Sequence, residues 1–128
     1  MIDREAPVSR ALVIHPAARD GMARSEARLE EATGLAEALD LEVAEAFIAP
    51  IRKIDAGRYF GRGKLDELKA RIEENTADVA VIDTALSPIQ QRNLEKAWNV
   101  KVIDRTGLIL EIFGQRARTK EGVLQVEL

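Results

Sequence analysis

The residues best suited to chemistry lie in one stretch. Between Pro50 and Lys64 stand Arg52, Lys53, Arg58, Arg62 and Lys64, interrupted by Gly57, Gly61 and Gly63. Arginine and lysine on glycine-containing backbone suit phosphate, because the guanidinium fork matches phosphate oxygens and a missing Cβ lets backbone amides come close. Tyr59 and Phe60 interleave with these charges and can either stack on a base or pin the loop to a core. Residues 51–71 carry a net +4 while residues 1–50 carry −5, so the total of −3 hides a local basic field. The plainer alternative is a long loop with solubilising charges.

Gly57 to Leu65 is not the phosphate loop of nucleotide hydrolases. The first glycine of that motif is replaced by Arg58, and the magnesium-holding hydroxyl by Leu65. The third glycine of a dinucleotide fingerprint is missing as well. A phosphate at the N-terminus of a helix beginning near Leu65 remains reasonable. Elsewhere the candidates thin out. His15 is the only histidine and there is no cysteine, which removes disulfides, thiolate or histidine-rich metal sites and a cysteine nucleophile. His15, before Pro16, reads as a structural or capping side chain. Asp83 and Asp104 each end an apolar run and could hold a divalent cation. Asp83 superficially looks like a receiver-domain phosphoacceptor, but the acidic pair that a receiver carries after its first strand is replaced by His15-Pro16. Both carboxylates read as loop anchors bonded to backbone amides or to Arg105. No catalytic residue, metal or resident cofactor is expected in this chain.

The elements that position these residues follow from hydrophobic periodicity. Ala11 to Ile14 is a short apolar run, the pattern of a strand covered on both faces. Leu29, Ala32, Ala36 and Leu39 give a helical stripe from about Arg24, with Ser25 or Asp20 as cap. Leu41 to Ala49 alternates like a strand with one face less buried, and Pro50 to Lys64 reads as a long loop. Leu65, Leu68 and Ile72 predict a second helix, and Asp78 to Asp83 a second buried strand. Ser87-Pro88 predicts the start of a third helix that runs to about Trp98. Val100 to Asp104 is a further strand. Leu108, Ile109, Ile112, Phe113 and Ala117 are the apolar face of a last helix, so Trp98 and Phe113 read as core. This alternation predicts an α/β domain with a four-stranded, mainly parallel sheet layered with helices.

In such a sheet ligands favour the carboxyl ends of the strands. Arg19 and Asp20 follow the first strand, the basic loop follows the second, Asp83 to Ser87 the third and Arg105-Thr106 the fourth. Asp40, Glu73, Glu74 and Asp78 fall on the opposite edge, which makes one edge basic and the other acidic. With 46% apolar and 32% charged residues in 128, one compact domain is expected. No run approaches the ~18 apolar residues of a membrane span, and Met1 to Glu5 lacks a signal-peptide core. A cytoplasmic protein is expected, with neither membrane nor DNA as partner.

Several strings resemble the HflX family of ribosome-associated GTPases. They are Gly61 to Leu68, Leu86 to Glu95, Asp104 to Phe113, Gln115 to Gly122 and Leu124 to Leu128; residues 1–58 agree in element order more than in wording. The resemblance implies an N-terminal α/β domain over residues 1–118 and, over 119–128, the start of a helical linker toward a GTPase domain that this sequence lacks. The apolar Val123, Val126 and Leu128 fit a pattern that begins rather than ends. It also implies a partner, the large ribosomal subunit and its rRNA, and GTP with Mg2+ in the parent protein; some members are reported to bind ATP through this part. Gly61, Gly63, Lys64, Arg92, Asn93, Arg105, Arg116 and Arg118 match the family strings. Together with the edge argument they give an expected RNA-binding set of Arg52, Lys53, Arg58, Arg62, Lys64, Arg92, Arg105, Arg116 and Arg118. Two rivals are an ATP-using domain built on Gly61 to Lys64 with Asp83 or Asp104 on magnesium, and a regulatory lid on the GTPase domain. Arg116, Arg118 and Lys120 can equally be charges that complement a helix C-terminus.

Overall fold

The computed structural model describes residues 9–18 and 22–127, with side chains described over 9–18 and 24–117. Four strands form one parallel sheet: β1 (Arg10–Ala17), β2 (Glu42–Pro50), β3 (Val79–Ile82) and β4 (Lys101–Asp104), in the spatial order β2-β1-β3-β4. The helices are α1 (Met22–Ala38), α2 (Arg62–Glu74), α3 (Pro88–Trp98) and α4 (Arg105–Glu127). The expected α/β class and four-stranded parallel sheet are what forms. Among the described residues no helix is long and apolar enough to cross a membrane.

Strand pleat divides the apolar residues between two layers. Leu12 and Ile14 of β1, Ala80 and Ile82 of β3 and Val102 of β4 face α2 and α3, which supply Leu65, Leu68, Ile72, Leu94 and Trp98. Ala11, Val13, Val79, Val81 and Ile103 face the other way, onto Ala32, Ala36 and Leu108 of α1 and α4. The two central strands are therefore continuous apolar runs, while edge strand β2 is only partly buried.

Local chemistry sets the ends. Ser87 caps α3 with Pro88 in its first turn, and a capping box closes with Gln90. Asn99 ends that helix in the left-handed region, at φ 57°. Helix α1 starts at Met22, ahead of the expected Arg24, so Ser25 lies buried inside it rather than at its cap; Asp20, like Arg19, lies outside the described residues. Helix α2 begins at Arg62, so Arg62, Gly63 and Lys64 occupy its first turn and not the preceding loop. Helix α4 runs unbroken past residue 118. The side chains of Arg118, Lys120, Val123 and Val126, and all of Leu128, lie outside the described residues.

Phe113 departs from expectation. It is 60% exposed, with Leu110 at 64%, whereas Trp98 is buried. Among the described side chains of this helix Leu108 alone is fully buried; α4 contacts α1, β3 and β4, and the wide apolar face predicted from spacing is only partly covered by them.

Candidate nucleic-acid interface

The loop from Ile51 to Gly61 is a built object. Asp55 and Tyr59 exchange both backbone hydrogen bonds, each at 2.9 Å, closing a small antiparallel turn. Inside it, Asp55 Oδ2 accepts from the backbone N–H of Gly57 at 2.9 Å and of Arg58 at 2.7 Å, the side-chain-to-backbone pattern by which aspartate shapes turns. Helix α3 holds the turn from below. Gln90 Nε2 donates to the Asp55 carbonyl at 2.9 Å, and Asn93 Nδ2 to the Gly57 carbonyl at 2.8 Å.

Tyr59 and Phe60 decide what the loop cannot do. Both are buried, with rings edge-to-face at 5.1 Å, and Phe60 lies 6.0 Å from Trp98, whose indole N–H donates to the Leu65 carbonyl. The base-stacking reading is thus overturned: these rings anchor the loop. Tyr59 holds φ 68°, a region costly for a side chain larger than asparagine. No described glycine has positive φ, and a Cβ at Gly61 or Gly63 would meet nothing within 4 Å.

The anchored loop presents cations outward. Arg52, Lys53, Arg58 and Arg62 are exposed. Arg52, Lys53, Gly61 and Lys64 line one shallow groove of about 340 Å³ beside Pro50 and Ile51. Lys64 also pairs with Glu67 at 3.3 Å. Gly61 caps α2 without a side-chain hydrogen bond, so the helix starts without a side-chain cap beside the groove that Arg52, Lys53, Gly61 and Lys64 line. A second groove, of about 480 Å³, is lined by Arg58, Asn93, Lys96 and Ala97. Lys96 escaped the sequence reading, since one lysine in a helix makes no cluster. The available signal was its i, i+4 spacing from Arg92, also exposed.

The other expected basic residues are dispersed. Arg105 is partly buried and committed to Asp83, with Nε donating to Oδ1 at 3.0 Å and Nη2 to the main-chain oxygen at 2.9 Å. It lines a separate groove with Arg24, Arg28 and Glu31. Arg116 is exposed about 16 Å farther along α4, at 1.5 Å rise per residue, and on the layer opposite the loop. The opposite edge of the sheet is not simply acidic, because Arg10 pairs with Glu42 at 2.7 Å, Arg71 pairs with Glu45, and Lys101 stands beside Asp78.

The two strand-end carboxylates are loop anchors, as their sequence context implied. Asp83 Oδ2 sits 2.8 Å from His15 Nδ1 and its other oxygen takes Arg105, all at the β1/β3 boundary. Asp104 accepts from the N–H of Leu86 at 3.0 Å and of Gly107 at 2.8 Å. Each oxygen of both carboxylates is already engaged in a hydrogen bond that holds a loop. No cluster of three or more metal-ligating groups occurs among the described residues.

Comparison with known proteins agrees with this architecture. The family of GTP-binding GTPase N-terminal domains matches residues 26–114. GTPase HflX of Magnetococcus marinus is 55% identical over 100 residues, covering 78% of this chain and 23% of that protein. The Escherichia coli GTPase HflX is 48% identical over 101 residues, covering 78% and 24%. That of Caldanaerobacter subterraneus is 40% identical over 126 residues, covering 98% and 28%. The chain thus spans about a quarter of the length of these curated relatives. A crystal structure of SsGBP with GDP shares the fold at a TM-score of 0.62 and 24% identity, over 94% of this chain and 33% of that one. With the sequence strings, the family match and these relatives in agreement, the chain belongs to the GTP-binding GTPase N-terminal family, that of the HflX-type proteins.

Proposed function

We propose that this domain is the ribosome-binding part of an HflX-type, cytoplasmic GTP-binding protein that associates with the large ribosomal subunit and splits or rescues ribosomes. Hydrolysis of GTP, with Mg2+, belongs to the GTPase domain of the parent. One observation carries the reading: an aromatic-anchored, hydrogen-bonded loop exposes Arg52, Lys53 and Arg58 beside the start of α2, whose first turn exposes Arg62 and whose cap residue Gly61 makes no side-chain hydrogen bond. Such a surface suits the phosphates of structured RNA rather than unpaired bases, because its two rings are spent in the core. Co-sedimentation with large ribosomal subunits over a salt series tests this. Binding should weaken as salt rises, and Arg52→Glu/Lys53→Glu/Arg58→Glu/Lys64→Glu should abolish it. Salt-insensitive binding that survives these reversals would sink the proposal.

The ATP-using alternative is less well supported, since Asp83 and Asp104 are engaged in holding loops. A second reading is favoured by the exposed Ile109, Leu110 and Phe113 on α4: the domain also contacts the rest of its parent chain and acts as a lid on the GTPase domain. GTP turnover of the full-length parent with and without residues 1–128, in the absence of ribosomes, measures that effect; equal turnover would dismiss it.

A further inference from the structure

Asp55 is an acidic side chain in the middle of the basic loop. If the loop were only a sum of charges, Asp55 would oppose its function, because a carboxylate repels a polyanion. Its geometry gives it another use. It is exposed, yet one of its oxygens binds two consecutive amides, the second of them that of Arg58. Its main chain closes the turn with Tyr59 and is gripped by Gln90, while Asn93 grips Gly57. Asn93 also lines the groove between Arg58 and Lys96. A loop bonded in this way keeps Arg58 at a set position relative to α3, where Arg92 and Lys96 stand one helical turn apart.

We infer that Asp55, together with Asn93, is a positioning residue that fixes Arg58 beside Lys96 so that loop and α3 together present one phosphate-binding groove. This rests on the RNA reading above. Its physical content is that ordering the loop in advance removes an entropy cost that binding would otherwise have to meet. Arg58 and Lys96 then act as one unit, and the loss of either should matter only while the loop is held.

The sign of one substitution separates positioning from charge. Asp55→Ala removes a negative charge, so charge alone predicts tighter binding to large ribosomal subunits, whereas positioning predicts binding weakened by about tenfold, with the salt slope reduced by about one unit as a phosphate contact is lost. Asp55→Asn keeps an oxygen for the two amides while dropping the charge, and should bind at least as tightly as the unaltered chain. Asn93→Leu, uncharged and of similar size, should weaken binding as Asp55→Ala does and should abolish the effect of a further Lys96→Ala. Thermal melting of each variant confirms that the domain is folded. The inference is overturned if Asp55→Ala binds as tightly as the unaltered chain or tighter, or if Lys96→Ala costs the same with and without Asn93. Absence of salt-sensitive binding by the unaltered chain would instead overturn the RNA reading itself, and this inference with it.

Discussion

The two faces of the sheet are covered with different material. Toward α2 and α3 the strands meet Phe60, Trp98, Leu65, Leu68, Ile72 and Leu94; toward α1 and α4 the fully buried partners are Ala32, Ala36 and Leu108, with Leu29, Leu35 and Leu39 packed around them and only partly buried. Large rings and branched chains bury more area and interlock more firmly than alanines. The loop with the cations is anchored in the first layer, through Tyr59 and Phe60. The second layer leaves Ile109, Leu110 and Phe113 uncovered. Ile54 of the loop and Ile89 of α3 are exposed as well, but among the described residues α4 alone gathers three such side chains on one helix, so on the reading proposed above one face fixes a polar surface in place and the other offers a run of apolar surface for further contact.

Phe60→Ala should break the comparison most severely. Phe60 is 1% exposed and joins the loop to the core through Trp98. Truncating a buried phenylalanine costs about 3–5 kcal/mol, read as a fall in the denaturant midpoint, and should be accompanied by faster amide exchange from Arg52 to Arg58. If stability fell while exchange in the loop stayed unchanged, the claim that the core holds the loop would be wrong. Ser87→Ala comes next, at about 1 kcal/mol for a lost N-cap. Gln90 closes the capping box with one end and reaches Asp55 with the other, so this change should loosen the loop as well as the helix.

A smaller effect tests how edge strand β2 is fastened to the aromatic layer. The hydrogen bond from Arg71 holds Glu45 below the ordinary carboxylate value; burial opposes it and Asn75 reinforces it. Arg71 also lies over the ring of Phe47, 3.7 Å from its centre. Because the folded value is the lower one, the pair stabilises fully above about pH 4.5 and its contribution is lost as pH falls further, through the folded value. Both side chains are about a third exposed, so screening limits the contribution to about 0.5 kcal/mol. Arg71→Met should flatten the acid limb of a stability-against-pH curve, and an unchanged limb would remove the pair from the account.

How legible the molecule is from its sequence differs between these regions for physical reasons. Strands β1 and β3 are buried on both faces, so Ala11 to Ile14 and Val79 to Ile82 announce themselves as unbroken apolar runs. Helix α3 announces its start through Ser87 and Pro88. The basic loop was visible as composition, but its bracing was not, since that depends on Gln90 meeting Asp55 across 35 residues of chain and Asn93 meeting Gly57 across 36. Periodicity also identifies the apolar side of a helix without saying how far its support extends. That is why Trp98 proved to be core and Phe113 did not.

Phe113 therefore supplies the last and smallest expected effect on folding. A side chain 60% exposed gives up little burial when replaced, and substitutions at such positions usually change stability by less than about 0.5 kcal/mol. Phe113→Ser should leave the melting temperature of this chain almost where it was, in contrast to Phe60→Ala. If the face is reserved for the rest of the parent chain, the same change in full-length protein should lower stability by more than in this chain alone, because only there would the ring be covered. Equal effects in both contexts would mean that nothing covers α4 at this point, and the division of labour between the two layers would lose its second half.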